Sequence, residues 1–145
     1  MNKPFASVLL ALSAIIPAQA FAATPIEGID AMREWNLIVL GDLESSSNVE
    51  GRTFVGGNLS GNSSDYRKDT PPPSANGTPG LTVVGSVTGN HKNLWGGAQV
   101  GGSVQSGFNL NGPAQTVRIG GTLQNTNLNP PNSAMINLNS TDPSF

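Results

Sequence analysis

The carboxylates of this 145-residue chain crowd toward its first half as Asp42, Glu44, Glu50, Asp65 and Asp69, and no Asp or Glu follows until Asp142. Glycoside hydrolysis normally needs two opposed carboxylates, and a polysaccharide lyase gathers acidic calcium ligands with a basic residue on one face. Asp42 and Glu44 alternate onto one strand face, where Glu50 would complete a calcium site, but the usual calcium-loop spacing is missing. His91 is the single histidine, set in the polar turn Gly89-Asn90-His91-Lys92-Asn93. With no cysteine and no second histidine there is no transition-metal set, and no carboxylate is placed to complete a serine triad. His91 therefore reads as a solvated loop residue. Gly-x-Gly patterns such as Gly56-Gly57 to Gly61 are not followed by the helix that phosphate binding requires. No cofactor is implied.

Two segments carry residues suited to binding. Tyr66, Arg67 and Lys68 stand between Asp65 and Asp69 in a stretch, Gly61 to Gly80, that also holds Pro71-Pro72-Pro73 and Asn76-Gly77-Thr78-Pro79-Gly80. Consecutive prolines favour extended polyproline II and supply no strand hydrogen bonds. The stretch reads as an inserted surface loop, either tolerated or functional. Trp95, in Leu94-Trp95-Gly96-Gly97, either stacks on a sugar ring or packs in the core, and its large apolar area favours the core.

These residues must be positioned by a repeated element. Five blocks share alternating apolar residues, then glycine, a small polar residue, and leucine or valine: Leu37–Leu43, Phe54–Leu59, Leu81–Val87, Gln99–Val104 and Val117–Leu123. Their aligned glycines stand at 41, 57, 85, 102 and 121, a period near 17 once the insert is removed. A unit this small cannot bury its own apolar face and must stack on its neighbours. The fold class is all-β, a parallel β-helix or β-solenoid of about five to six short rungs about 4.8 Å apart. Glycines after each strand are expected to take positive φ at tight corners. Asp42, Asn58, Ser86, Ser103 and Thr122 are expected to bond to turn backbone or stack on one another. Ile26, Ile29 and Met32 follow helical spacing between Pro25 and Asn36, which predicts a short N-terminal helix capping the open end.

Met1 to Ala22 carries Lys3, an apolar centre from Val8 to Ile16 and small residues at Ala18, Ala20 and Ala22, the pattern of a secretory signal peptide cleaved after Ala20 or Ala22. Its apolar centre is shorter than the roughly 20 residues of a membrane span, and no second long apolar run follows. The expected organisation is a signal peptide over 1–22 and one solenoid domain over 23–145, secreted or at the cell surface with no membrane span after cleavage. Loss of Lys3 leaves 6 basic against 9 acidic residues, the wrong sign for a nucleic acid partner.

Trp35 to Leu43, Ser45 to Arg52 with its Glu50-Gly51-Arg52, and Val55-Gly56-Gly57-Asn58-Leu59 resemble the opening of the choice-of-anchor A domain, a family of bacterial surface domains. Gly41-Asp42, Glu50-Gly51-Arg52 and Gly56-Gly57-Asn58 carry the likeness over residues 35 to 60. The resemblance implies an extracellular, β-helix-like adhesive module without established enzymatic activity, so no catalytic residues are carried over. Such domains are usually longer and followed by an anchor, which makes this chain a fragment or a short relative.

The reading is a secreted, non-catalytic attachment or matrix module whose partner is a host or matrix protein, or a polysaccharide. A carbohydrate-active β-helix enzyme using Asp42, Glu44 or Glu50 is the first rival. An ice-binding solenoid is the second, weakened because the block positions carry Asp, Asn, Ser, Ser and Thr rather than a threonine array. Asn129-Pro130-Pro131-Asn132 breaks the last rung, and Ala134 to Leu138 reads as a further strand. An uncapped end would expose strand edges and favour self-association.

Overall fold

The computed structural model describes residues 28–69, 74, 76–113, 115–128 and 134–139. The signal peptide, Pro71–Pro73 and the Asn129–Asn132 break lie outside the described residues. One helix, α1 (Gly28–Glu34), precedes the strands β1 (Leu37–Val39), β2 (Leu43–Glu44), β3 (Asn48–Val49), β4 (Thr53–Val55), β5 (Leu59–Ser60), β6 (Ser64–Tyr66) and β7 (Leu81–Val83). β8 (Lys92–Trp95), β9 (Ala98–Val100), β10 (Phe108–Asn111), β11 (Gln115–Ile119), β12 (Asn127–Leu128) and β13 (Ala134–Leu138) follow.

All pairing is parallel, and each turn of the chain visits three faces in order. Face A is the six-stranded sheet β1-β4-β7-β9-β11-β13, and face C is the five-stranded sheet β12-β10-β8-β6-β3. Face B is the pair β2-β5, continued by single bridges from Leu59 to Val87, Val104 and Leu123. The chain is a β-solenoid of five turns with a sixth opened by β13.

Register explains the repeated blocks. Val39, Val55, Val83, Val100 and Ile119 stack as one column of face A, and Leu43, Leu59, Val87, Val104 and Leu123 as the column of face B. With Tyr66, Leu94, Phe108 and Leu110 from face C they fill a single narrow core. The β-branched and leucine side chains of the two columns from faces A and B suit pleated strands covered by like strands.

The glycines of the blocks differ from the expectation. Gly57, Gly85, Gly102 and Gly121 do not have positive φ. A Cβ on them would instead fall 2.2, 2.5, 2.2 and 2.2 Å from Asp42 Oδ1, Asn58 Oδ1, Ser86 Oγ and Ser103 Oγ. Glycine is needed there so that the polar side chain of the preceding rung can pass over it. Positive φ falls at the other two corners, at Gly61, Gly89 and Gly107 and at Gly96, Gly97 and Gly112.

Strand β6 lies inside the stretch read as an insert, so the repeat continues through Tyr66 and departs from it only afterwards. The helix forms near the N-terminus as expected, yet it buries none of its residues, and Ile29 and Met32 are exposed. Leu37, Val39, Leu43 and Val49 of the first rung are only half-buried, whereas Val55, Leu59 and Tyr66 of the next are fully buried.

Candidate functional site

Face C gathers most of the binding candidates. Successive outward positions place Asn48, Asp65, Asn93, Asn109 and Asn127 in one column. Asn93 Nδ2 donates to Asp65 Oδ1 at 2.7 Å, Asn109 Nδ2 to Asn93 Oδ1 at 2.8 Å, and Asn127 Nδ2 to Asn109 Oδ1 at 3.1 Å. Each amide in the middle of this ladder uses one N–H and one oxygen lone pair along the column. A second N–H and lone pair remain for a partner on the outer side. The face thus repeats one donor and one acceptor per rung, about every 4.8 Å.

A second outward column runs beside it. Asn111 pairs in register with Trp95, and Arg67 and Glu50 occupy the equivalent places on the two preceding rungs. Trp95 is half-buried rather than part of the core, and its ring lies over Gly112, where a Cβ would come within 3.1 Å of Cδ1. Arg67 leans the same way, over Gly96, where a Cβ would fall 2.1 Å from a terminal guanidinium nitrogen. Its backbone has φ +57°, an uncommon conformation for a residue with a side chain. Its Nε is buried without a hydrogen-bond partner among the described residues. Burial and then the nearby Arg52 charge lower the Arg67 pKa. Lys68 is exposed, 3.9 Å from the Asp65 carboxylate.

Tyr66 does not share this surface. It is fully buried in the core, its phenol oxygen accepting from the Ser64 hydroxyl at 3.1 Å. It follows Asp65 and precedes Arg67, and strand alternation sends it inward where they point out. Of the four binding candidates the structure brings Arg67, Lys68 and Trp95 to face C and its edge, and places Tyr66 behind them.

The carboxylates considered for chemistry are dispersed. Asp42 sits at the corner between faces A and B, Glu44 is exposed on face B, and Glu50 is exposed at the corner leading from C to A. Among the described residues no three His, Cys, Asp or Glu side chains are close enough to hold a metal ion. Glu50-Gly51-Arg52 has a structural arrangement. Gly51 leaves room for the Asn36 side chain, whose Oδ1 a Cβ would strike at 1.7 Å. Arg52 is buried with its Nε 3.5 Å from Glu34 Oε1 and donating to the Thr78 carbonyl at 3.3 Å. The partner of Arg52 is thus Glu34 of α1 and not Glu50 beside it in sequence.

Sequence reasoning also missed Lys92. It is fully buried, with Nζ donating to the carbonyls of Asn62 at 2.7 Å, Gly61 at 3.1 Å and Ser60 at 3.5 Å. Burial lowers its pKa. His91, read as solvated, is half-exposed with Nε2 2.9 Å from the Asn125 carbonyl.

The family follows from comparison with known proteins. Residues 28–143 match the model of the family described as "Putative Ice-binding-like adhesive domain". The chain belongs to this adhesive-domain family. No curated protein and no solved structure matches it. The match covers every described rung, from α1 to β13, so face C belongs to the adhesive domain itself.

Proposed function

We propose that the chain is an exported, non-catalytic attachment module that holds a polysaccharide along face C. The observation that carries this reading is the amide ladder Asp65–Asn93–Asn109–Asn127 lying beside the half-buried Trp95 and the unpaired Arg67 Nε. Sugar hydroxyls donate and accept, which suits one unused amide donor and acceptor per rung. An aromatic face gives a ring the apolar contact it needs. Membership of an adhesive-domain family supports attachment, and the choice-of-anchor A resemblance over residues 35 to 60 supports a place at the cell surface.

The test is retention of the purified chain on a panel of insoluble polysaccharides and immobilised matrix proteins, with Trp95→Ala and with Asn93→Ala/Asn109→Ala. Retention by a polysaccharide, weakened several-fold by either variant, is the expected result. Retention by a matrix protein that ignores both variants would move the contact off face C, and no retention on any surface would end the attachment reading.

A second reading is favoured by the regularity of the same ladder and by the ice-binding-like character of the family. A flat column of amides at constant spacing also suits ordered water. Ice shaping or thermal hysteresis that disappears in Asn93→Ala/Asn109→Ala would select it. The enzymatic alternative requires Asp42, Glu44 or Glu50, and polymer cleavage abolished by replacing all three would establish it.

A further inference from the structure

We infer that copies of this chain stack end to end, the β13 edge of one copy pairing in parallel with the β1 edge of the next. Among the described residues β1 pairs only with β4, and β13 only with β11, so each end presents one open strand edge. The two edges are complementary and not alike. Leu37 N–H donates to Arg52 and Val39 C=O accepts from Gly56, both toward the second rung. Alternation in a parallel ladder then turns the N–H and C=O of Ile38 to the open side. The same alternation uses Asn137 toward β11 and leaves Ile136 and Leu138 facing outward at the far end. Ile38 would slot between Ile136 and Leu138 in the register that every internal rung already uses.

Exposed apolar side chains point to the same places. Of the six large hydrophobics that stand well exposed among the described residues, Ile29, Met32, Ile38 and Leu40 belong to the near end and Leu138 to the far end, with Val84 between. The half-buried Leu37, Val39, Leu43 and Val49 of the first rung lack the covering rung that buries their equivalents completely.

Charge disfavours the symmetric contact. The first rung carries Asp42, Glu44 and Glu50 and no basic residue, so two near ends brought together repel. A head-to-tail contact of this kind does not close on itself and continues as a filament.

The test is sedimentation of the intact chain over a range of concentrations, with Ile38→Pro and Leu138→Pro as edge-blocking variants. Each proline removes an N–H directed outward and keeps the bonds directed into the stack, a substitution edge strands accept. Unchanged circular dichroism and melting establish that both variants fold, and Ile38→Lys and Leu138→Lys serve should either proline fail. The expected result is wild-type mass that grows with concentration beyond a dimer, while each variant alone stays monomeric. Mixing the two variants should then give a one-to-one dimer and nothing larger, since each retains one competent end. A monomeric wild type at all concentrations, a wild type that stops at a dimer, or variants that still grow would each overturn the inference. Attachment through face C is not needed for any of these outcomes.

Discussion

The backbone N–H of Asn58 donates to the Asp42 carboxylate at 2.6 Å, and this contact recurs on every later rung. Ser86 N donates to Asn58 Oδ1, Ser103 N to Ser86 Oγ and Thr122 N to Ser103 Oγ, at 2.9 to 3.1 Å. These bonds span 16, 28, 17 and 19 residues, the same steps that separate the aligned glycines in the sequence. The position requires only a short side chain ending in an acceptor oxygen. Asn58→Ser should therefore leave stability within about 0.5 kcal/mol. Asn58→Ala should cost about 1–2 kcal/mol, because Ser86 N then loses its acceptor and the Asn58 Nδ2 bond to Asp42 Oδ1 is lost with it. Urea unfolding midpoints at constant slope check both.

Two glycines of the same motif should respond in opposite ways. A Cβ on Gly41 meets nothing within 4 Å, while one on Gly101 would sit 2.2 Å from the Val84 carbonyl oxygen. That oxygen belongs to the backbone of the adjacent rung and moves only if the rungs separate. Gly41→Ala should be neutral to within about 0.5 kcal/mol. Gly101→Ala should be destabilised by about 1–3 kcal/mol, the usual cost of forcing extra volume against a neighbour that cannot move aside, although Gly101 itself lies at the surface. The difference in melting temperature between the two variants reads this directly.

The contrast explains how much of the fold was legible beforehand. Inward columns such as Leu43–Leu59–Val87–Val104–Leu123 show in the sequence because every rung repeats the same residue class at the same offset. The reason for the glycines was not legible. Positive φ and close approach between rungs leave the same residue in the sequence, and only the spatial neighbour separates them. Strand β6 was hidden because Ser64-Asp65-Tyr66 lacks the Gly-Gly marker and runs into the proline-rich stretch. The amide ladder was missed because Asn93, Asn109 and Asn127 each look like ordinary turn residues, and its first member is an aspartate. The Glu34–Arg52 pair joins the helix to the second rung, and a local reading pairs Arg52 with Glu50 instead.

Tyr66 is the one tyrosine in the chain, so phenolate absorbance reports on it alone. Burial raises its pKa above the ordinary 10.0, with hydrogen bonds from Ser64 and Ser45 pulling weakly the other way. The folded state then holds the phenolic proton more tightly than the unfolded state. Its contribution to stability is fully present below pH 10 and is lost as pH rises through the raised value. Alkaline titration should show the phenolate of the folded chain appearing at higher pH than in denaturant, where it titrates normally. Tyr66→Phe should remove this part of the alkaline loss of stability, at the cost of an unpartnered Ser64 hydroxyl. Normal ionisation in the folded chain would place Tyr66 at the surface.

Lys92 gives the opposite slope. Its ammonium is buried among three carbonyls of the rung before it, and burial lowers its pKa from the ordinary 10.5. Between the lowered value and 10.5 the unfolded chain binds more protons than the folded one. Stability therefore rises with pH across that interval, because the folded state sheds a charge it holds at a disadvantage. Lys92→Met should abolish this rise. The substitution also leaves the carbonyls short of a donor, though not equally. Gly61 O still accepts from Asn90 N and Ser60 O from Ser45 N, whereas Asn62 O has Lys92 as its closest donor. A loss of about 1–3 kcal/mol at neutral pH is expected, the cost of one unsatisfied buried acceptor. Part of it is offset because no charge is then buried. Denaturant midpoints of wild type and Lys92→Met should therefore diverge in favour of wild type as pH rises toward 10.5, whereas a difference that stays constant with pH would mean that Lys92 titrates alike in the folded and unfolded chain.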